Sequence, residues 1–160
     1  MRHRIQPLHP VDVLDIGVGA GTYGRVLREL CPGVRLTGVE AWAPYVEEFD
    51  LHAIYDDLII ADVRHLDVLP RADIVILGDV LEHMAEPDAV AVWAMARVAA
   101  RKAVYLSIPI IRYPQGHLHG NPFEEHIVDD WTHERVLATF EGIGAHWVGT
   151  IVGAYEAATT

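Results

Sequence analysis

Val11-Asp-Val-Leu-Asp-Ile-Gly-Val-Gly-Ala-Gly-Thr-Tyr-Gly24 reads as a buried strand that passes through three glycines into a helix. Gly17, Gly19 and Gly21 tolerate positive φ and carry no Cβ, so a ligand can lie against the backbone at the N-terminus of the following helix. Asp15, just before the first glycine, would repel a bare pyrophosphate and favours a group that carries an ammonium or sulfonium charge. The loop therefore reads as the cradle of an amino-acid-like cofactor.

Working outward, short runs rich in Val, Ile and Leu alternate with helical stretches, and most of these runs are apolar at successive residues. A parallel sheet covered on both faces requires that pattern, so the fold class is α/β, a Rossmann-like doubly wound sheet. Helices are expected over residues 22–30, 44–53, 87–101 and 132–141, the third started by Pro87 and Asp88. In the last, Val136, Leu137, Phe140 and Ile143 form one stripe that Gly142 and Gly144 would end. Residues 146–152 and 154–159 are expected to close the sheet as an antiparallel hairpin about Gly153. The stretch from Ile110 to Trp131 has no periodicity and contains Pro114, Gly116, Gly120, Asn121 and Pro122. It emerges at the strand carboxyl ends, where open α/β sheets bind ligands, and reads as a substrate loop or lid.

Length and composition bound the function. The chain of 160 residues, 51% apolar, supports one core, with residues 1–10 expected as a frayed tail holding His3 and His9 and residues 11–160 as the domain. A net charge of −11 opposes the phosphate attraction on which nucleic-acid binders rely, so the expected partner is a small molecule. Cys31 stands alone, which excludes an internal disulfide and suits a cytoplasmic protein; it reads as a half-buried helix-end residue. No apolar run reaches the length of a membrane span, and the N-terminus has no signal-peptide core. A monomer or a homodimer is expected, the second because few residues precede Val11 to cover a substrate.

The motifs resemble those of the class I S-adenosylmethionine-dependent methyltransferases, whose first motif has the form acid, x, Gly, x, Gly, x, Gly, here Asp15-Ile-Gly17-Val-Gly19-Ala-Gly21. The likeness runs from Val11 onward and implies a mostly parallel seven-stranded sheet. Glu40 closes the run Val34 to Glu40, about twenty residues past the glycines, where an acid meets ribose hydroxyls. By resemblance, Asp15, the glycines and Thr22 hold the methionine portion, Glu40 with Ala41 the ribose, and Asp62 with Val63 the adenine. Trp42 packs nearby, and Asp79 borders the cofactor. Trp93, Trp131 and Trp147 read as core. Asp79-Val-Leu-Glu-His83 resembles the Asp-x-x-Glu-His segment of the branch containing ubiquinone-type O-methyltransferases.

Methyl transfer from a sulfonium is an in-line displacement, so the enzyme aligns, desolvates and supplies a base or metal when the nucleophile is a weakly acidic hydroxyl. His83 and His126 are the candidate bases. A helical turn beginning at Asp79 would put Asp79 and His83 on one face with Glu82 alongside. In related branches an acid, a Glu-His pair and a later histidine hold a divalent cation; here Asp79, Glu82, His83 and His126 are the candidate ligands for Mg²⁺, Mn²⁺ or Zn²⁺. His117 and His119 read as solvated loop residues, and His83 alone also reads as a turn residue bonded to a carbonyl. The expected reaction is methylation of an oxygen or nitrogen on a small molecule. Rival readings are a non-catalytic S-adenosylmethionine-binding module, a nucleic-acid methyltransferase and an NAD-dependent oxidoreductase. Gly19-Ala-Gly21-Thr-Tyr-Gly24 matches the last formally, but Asp15 and Asp62 argue against it. The nucleic-acid reading needs an Asn/Asp-Pro-Pro-aromatic tetrapeptide after the fourth strand, where this chain has Gly78-Asp79-Val80-Leu81.

Overall fold

In the computed structural model, residues 2–159 are described. Seven strands form one sheet in the order β3-β2-β1-β4-β5-β7-β6. The strands are β1 (Asp12–Ile16), β2 (Arg35–Glu40), β3 (Asp57–Ile60), β4 (Ala72–Gly78), β5 (Ala100–Pro109), β6 (Ile143–Val148) and β7 (Val152–Ala157). The first five pair in parallel, and β7 runs antiparallel to both β5 and β6. Helices are α1 (Arg2–Ile5), α2 (Thr22–Leu30), α3 (Pro44–Glu48), α4 (Glu86–Ala99) and α5 (His133–Thr139).

Alternation along the central strands explains the two cores. Leu14, Ile16, Val75, Leu77, Val104 and Leu106 face α4 and the Trp131–Phe140 region, while Val13, Ile74, Ile76 and Tyr105 face α2 and α3. Each buried Leu or Ile contributes about 1.5–3 kcal/mol, so every central strand is fastened from both sides. Strand order reverses between β1 and β4, which opens a crevice at the carboxyl ends of these strands.

Several local expectations change. The helix predicted over 44–53 breaks after Glu48, because Asp50 turns left-handed (φ 50°) and Leu51–Ala53 follows as a separate 3-10 turn. The helix predicted over 132–141 ends at Thr139; Val136 and Phe140 are buried but Leu137 is exposed, and Ile143 already belongs to β6. Gly153 is not the hairpin turn. It lies within β7, paired to Ile108 and Val148, and the chain reverses over residues 149–151. Trp147 lies 44% exposed on the edge strand, with the Arg4 guanidinium 5.6 Å over its ring, because β6 has no neighbour on its outer side. Residues 4–10 are tied down: Ile5 is fully buried in the α2 side of the core, Arg4 pairs with Glu156, and Lys102 bonds the Leu8 and His9 carbonyls. Cys31 caps α2 half-buried, and His117 and His119 are exposed, His117 facing Glu125. No helix among the described residues is long and apolar enough to cross a membrane.

Candidate active site

A cleft of about 510 Å³ opens at the strand carboxyl ends, within the usual range for small-ligand sites. The turn after β1 forms its floor. Gly17 has φ +71°, and a Cβ there would meet Val80 at 2.3 Å, so only glycine lets the loop lie against the turn after β4. Gly19 (φ +48°) donates its N–H to Glu40 Oε2 at 3.0 Å, and Trp42 N–H donates to Glu40 Oε1 at 2.7 Å. Both oxygens of Glu40 are thus held by main chain, and each keeps an acceptor direction free. Burial pushes the Glu40 carboxyl up, and these two N–H groups pull it down.

Gly17, Gly19, Thr22, Glu40, Ala41, Asp62, Val63 and Asp79 line the cleft. Gly21 caps α2 just behind the lining. Asp15 and Trp42, like Gly21, fall outside the lining. Asp15 is 1% exposed and lies outside the lining, because it shares the strand face of Val13; Tyr55 donates to its Oδ2 at 2.5 Å, and its Oδ1 is buried without a partner. Burial raises Asp15 to about 7, against the Tyr55 bond. Its side chain shapes the loop from behind. Trp42 also falls outside the lining, half-buried, with its ring 6.5 Å from Phe123. Asp62 caps the 3-10 turn Val63–His65 and is gripped by Arg64; burial raises its carboxyl, and the Arg64 bonds outweigh this and hold it low.

Beyond β4 the backbone turns sharply. Asp79 is left-handed (φ 54°) and is followed by the 3-10 turn Leu81–His83. The helical turn expected to align Asp79 with His83 therefore does not form. Among the described residues, Glu82, His83 and His126 bring ligand atoms within 4.8 Å of one another, and Asp79 stays outside that group. Burial raises the Asp79 carboxyl, while the Ser107 and Tyr23 hydroxyls and the nearby imidazoles pull it down.

The cluster has the properties of a ligand set. Glu82 is 1% exposed, lines the cleft, and both carboxylate oxygens lack a partner. Burial raises it well above the ordinary carboxyl range. His83 Nδ1 lies 3.1 Å from the Glu125 carbonyl, and His126 Nδ1 lies 2.6 Å from the Tyr113 carbonyl. A carbonyl can only accept, so each Nδ1 carries the proton and each Nε2 keeps its lone pair. Burial also lowers His83, favouring the neutral ring that binds metal or takes a proton. Imidazoles fixed by carbonyls beside an unpaired carboxylate are what a divalent ion needs. Two nitrogens and one carboxylate suit Zn²⁺ or Mn²⁺ better than Mg²⁺.

Sequence reasoning missed several contributors. Tyr23 packs against Gly78 and bonds Ser107 across the sheet at 2.7 Å, Tyr55 supports Asp15, and Arg64 engages Asp62. The adjacency of Arg64 to the Asp62 turn was visible in the chain; the tyrosine contacts depend on helix rotation and were not. Gln115, Phe123 and Glu124 reach the cleft because the loop after β5 is folded as a narrow excursion, with Tyr113 N–H on the Asp129 carbonyl and His126 N–H on the Gln115 carbonyl.

Residues 13–103, more than half of the chain, match a family model described as a methyltransferase domain. The chain belongs to this methyltransferase-domain family. Solved structures share the fold of this methyltransferase at low identity. The N-terminal domain of EvdMO1, solved with S-adenosylhomocysteine, has a TM-score of 0.70 at 18% identity over 99% of this chain and 79% of that one. NcsB1, an O-methyltransferase from neocarzinostatin biosynthesis solved with S-adenosylhomocysteine and 1,4-dihydroxy-2-naphthoic acid, has a TM-score of 0.70 at 17% identity, covering 99% and 52%. Human N-acetylserotonin methyltransferase, solved with S-adenosylmethionine, has a TM-score of 0.69 at 20% identity, covering 99% and 50%. The chain thus spans about half the length of the last two. No curated protein matches it.

Proposed function

We propose that this methyltransferase transfers a methyl group to a hydroxyl of a small molecule, with Glu82, His83 and His126 acting at the acceptor oxygen. The observation that carries the reading is the buried, unpartnered carboxylate of Glu82 beside two imidazoles whose Nε2 lone pairs are free. The cofactor supplies a methyl on a sulfonium, whose C–S bond breaks as the acceptor oxygen forms the new C–O bond and the thioether leaves neutral. Glu40 holds the ribose through the two acceptor directions left free on its oxygens. Asp62 and Val63 border the adenine, and Thr22 with the Gly17–Gly19 loop supports the methionine portion.

His126 or His83 takes the acceptor proton at Nε2. The two rings lie 4.7 Å apart, so the nearby His126 adds to burial in lowering His83 and keeping it neutral. Where a divalent ion is bound, it is held by Glu82, His83 and His126 and supplies Lewis acidity that lowers the pKa of a hydroxyl. Asp79 lines the cleft apart from that set. Carboxylates dominate the lining (Glu40, Asp62, Asp79, Glu82, Glu124), and its one arginine, Arg64, is paired with Asp62. Such a cleft favours the cationic donor over the neutral product. The dihydroxynaphthoate bound by NcsB1 is in keeping with a hydroxyl acceptor. A cytoplasmic setting suits a chain with one cysteine.

The test is methyl transfer from isotopically labelled S-adenosylmethionine to a panel of phenols, sugars and amines, with EDTA or with Mn²⁺, read by mass spectrometry. Ether products formed faster with Mn²⁺ support the reading. Products formed only on amines, unaffected by EDTA, overturn it.

A further inference from the structure

The loop after β5 ties the two ends of the cleft together. At its tip the Tyr45 hydroxyl donates to Glu124 Oε1 at 3.0 Å, and Phe123 packs near Trp42, whose own N–H is bound by Glu40. At its base the Glu125 carbonyl accepts from His83 Nδ1, and the main-chain carbonyl of Glu82 accepts from Ile127 at 2.9 Å and Val128 at 3.1 Å. Residues 124, 125 and 126 therefore reach, in succession, Tyr45, His83 and the metal-capable cluster. Gln115 makes this stretch one piece: its Nε2 donates to the Glu124 carbonyl at 2.7 Å, and its own carbonyl accepts from His126 N–H. Glu124 repels both Glu40 and Glu82, and two side-chain donors hold its carboxylate against this, the Tyr45 hydroxyl at 3.0 Å and, at the longer distance of 3.4 Å, Gln115 Nε2.

We propose that Tyr45 and Glu124 are positioning residues through which occupancy of the ribose end of the cleft sets the geometry of His83 and His126. The inference rests on the function proposed above. Linkage then requires that S-adenosylhomocysteine and a divalent ion tighten each other's binding by the same factor. The Tyr45–Glu124 bond is the contact whose loss separates the two sites without removing a group from either.

The test is calorimetric titration of wild type, Tyr45→Phe and Glu124→Gln with Mn²⁺, alone and at saturating S-adenosylhomocysteine. Alongside, His126 imidazole NMR signals are followed in metal-free protein as S-adenosylhomocysteine is added. In wild type the expected mutual tightening is about fivefold or more. Glu124→Gln, whose amide oxygen still accepts from Tyr45, retains it. Tyr45→Phe binds each ligand alone but loses the tightening, and its His126 signals no longer respond to S-adenosylhomocysteine. Tightening that persists in Tyr45→Phe, or is missing in wild type when both ligands bind, overturns the inference and leaves the proposed function standing. Absence of Mn²⁺ binding under every condition removes the metal reading. In that case a His126 response present in wild type and lost in Tyr45→Phe still supports the positioning role, and an equal response in both overturns it.

Discussion

Replacing Glu40 by Gln tests the cofactor site most directly. The two carboxylate oxygens each accept one main-chain N–H, from Gly19 at 3.0 Å and Trp42 at 2.7 Å. In Glu40→Gln the amide oxygen can serve one of these donors, while the amide nitrogen confronts the other, and only one ribose hydroxyl keeps an acceptor. Losing one hydrogen bond to a charged group costs about 1.5–3 kcal/mol, and the surviving one weakens to the neutral value, about 1 kcal/mol less. The expected loss is roughly 2.5–4 kcal/mol, about 60- to 700-fold in Kd at ~1.4 kcal/mol per tenfold. Calorimetry would compare S-adenosylhomocysteine with its 2′,3′-dideoxy analogue on both proteins, giving a four-member cycle. Wild type should prefer the hydroxylated ligand strongly, and Glu40→Gln should scarcely discriminate. An equal loss for both ligands would refute the ribose assignment and leave Glu40 acting only on the Gly19 loop.

Three further outcomes follow from particular contacts. Burial raises Asp15 to about 7 from 3.8, so the folded state holds this proton more tightly than the unfolded state. Stability is then lost as pH rises between these values, on the order of 4 kcal/mol in all. Asp15→Asn, which still accepts from Tyr55, should outlast wild type in urea above about pH 7, with the gain vanishing toward pH 4; a gain flat with pH would sink the argument. Burial raises the unpartnered Glu82 carboxyl well above its ordinary range, so the folded state loses stability as pH rises past that range; Glu82→Gln is free of this cost, and the apo protein should melt higher at neutral pH in EDTA while Mn²⁺ binding is lost. Unchanged Mn²⁺ affinity would exclude Glu82 as a ligand. At Gly78, a Cβ would sit 2.0 Å from the Tyr23 ring, which must swing away and give up its 2.7 Å bond to Ser107. Gly78→Ala should cost about 1–3 kcal/mol in urea denaturation and weaken S-adenosylhomocysteine binding, since Tyr23 lines the cleft; a neutral variant would contradict this packing.

The strand-to-glycine-to-helix run, the apolar strands and the acids that end β2 and β3 were legible in the chain, because each is a local pattern with a fixed period or spacing. These patterns put Glu40, Asp62 and the Gly17–Gly19 loop at the same edge of the sheet, where they line the cleft. The Asp79 to His83 segment was legible as chemistry but not as geometry. Its assumed helical turn is broken by the left-handed Asp79, which takes that residue out of the ligand group and leaves Glu82 as its carboxylate.

Sequence alone determined the sheet, the glycine loop and the net charge of the chain, since strand periodicity, glycine conformation and composition are properties of neighbouring residues. Tertiary structure alone decided where side chains far apart in sequence converge. It turned Asp15 away from the cleft toward Tyr55, brought His126 from the loop after β5 to Glu82 and His83, and joined Tyr45 to Glu124. The physical reason is that strand parity and the path of a folded loop depend on the packing of the whole sheet, which no local spacing encodes.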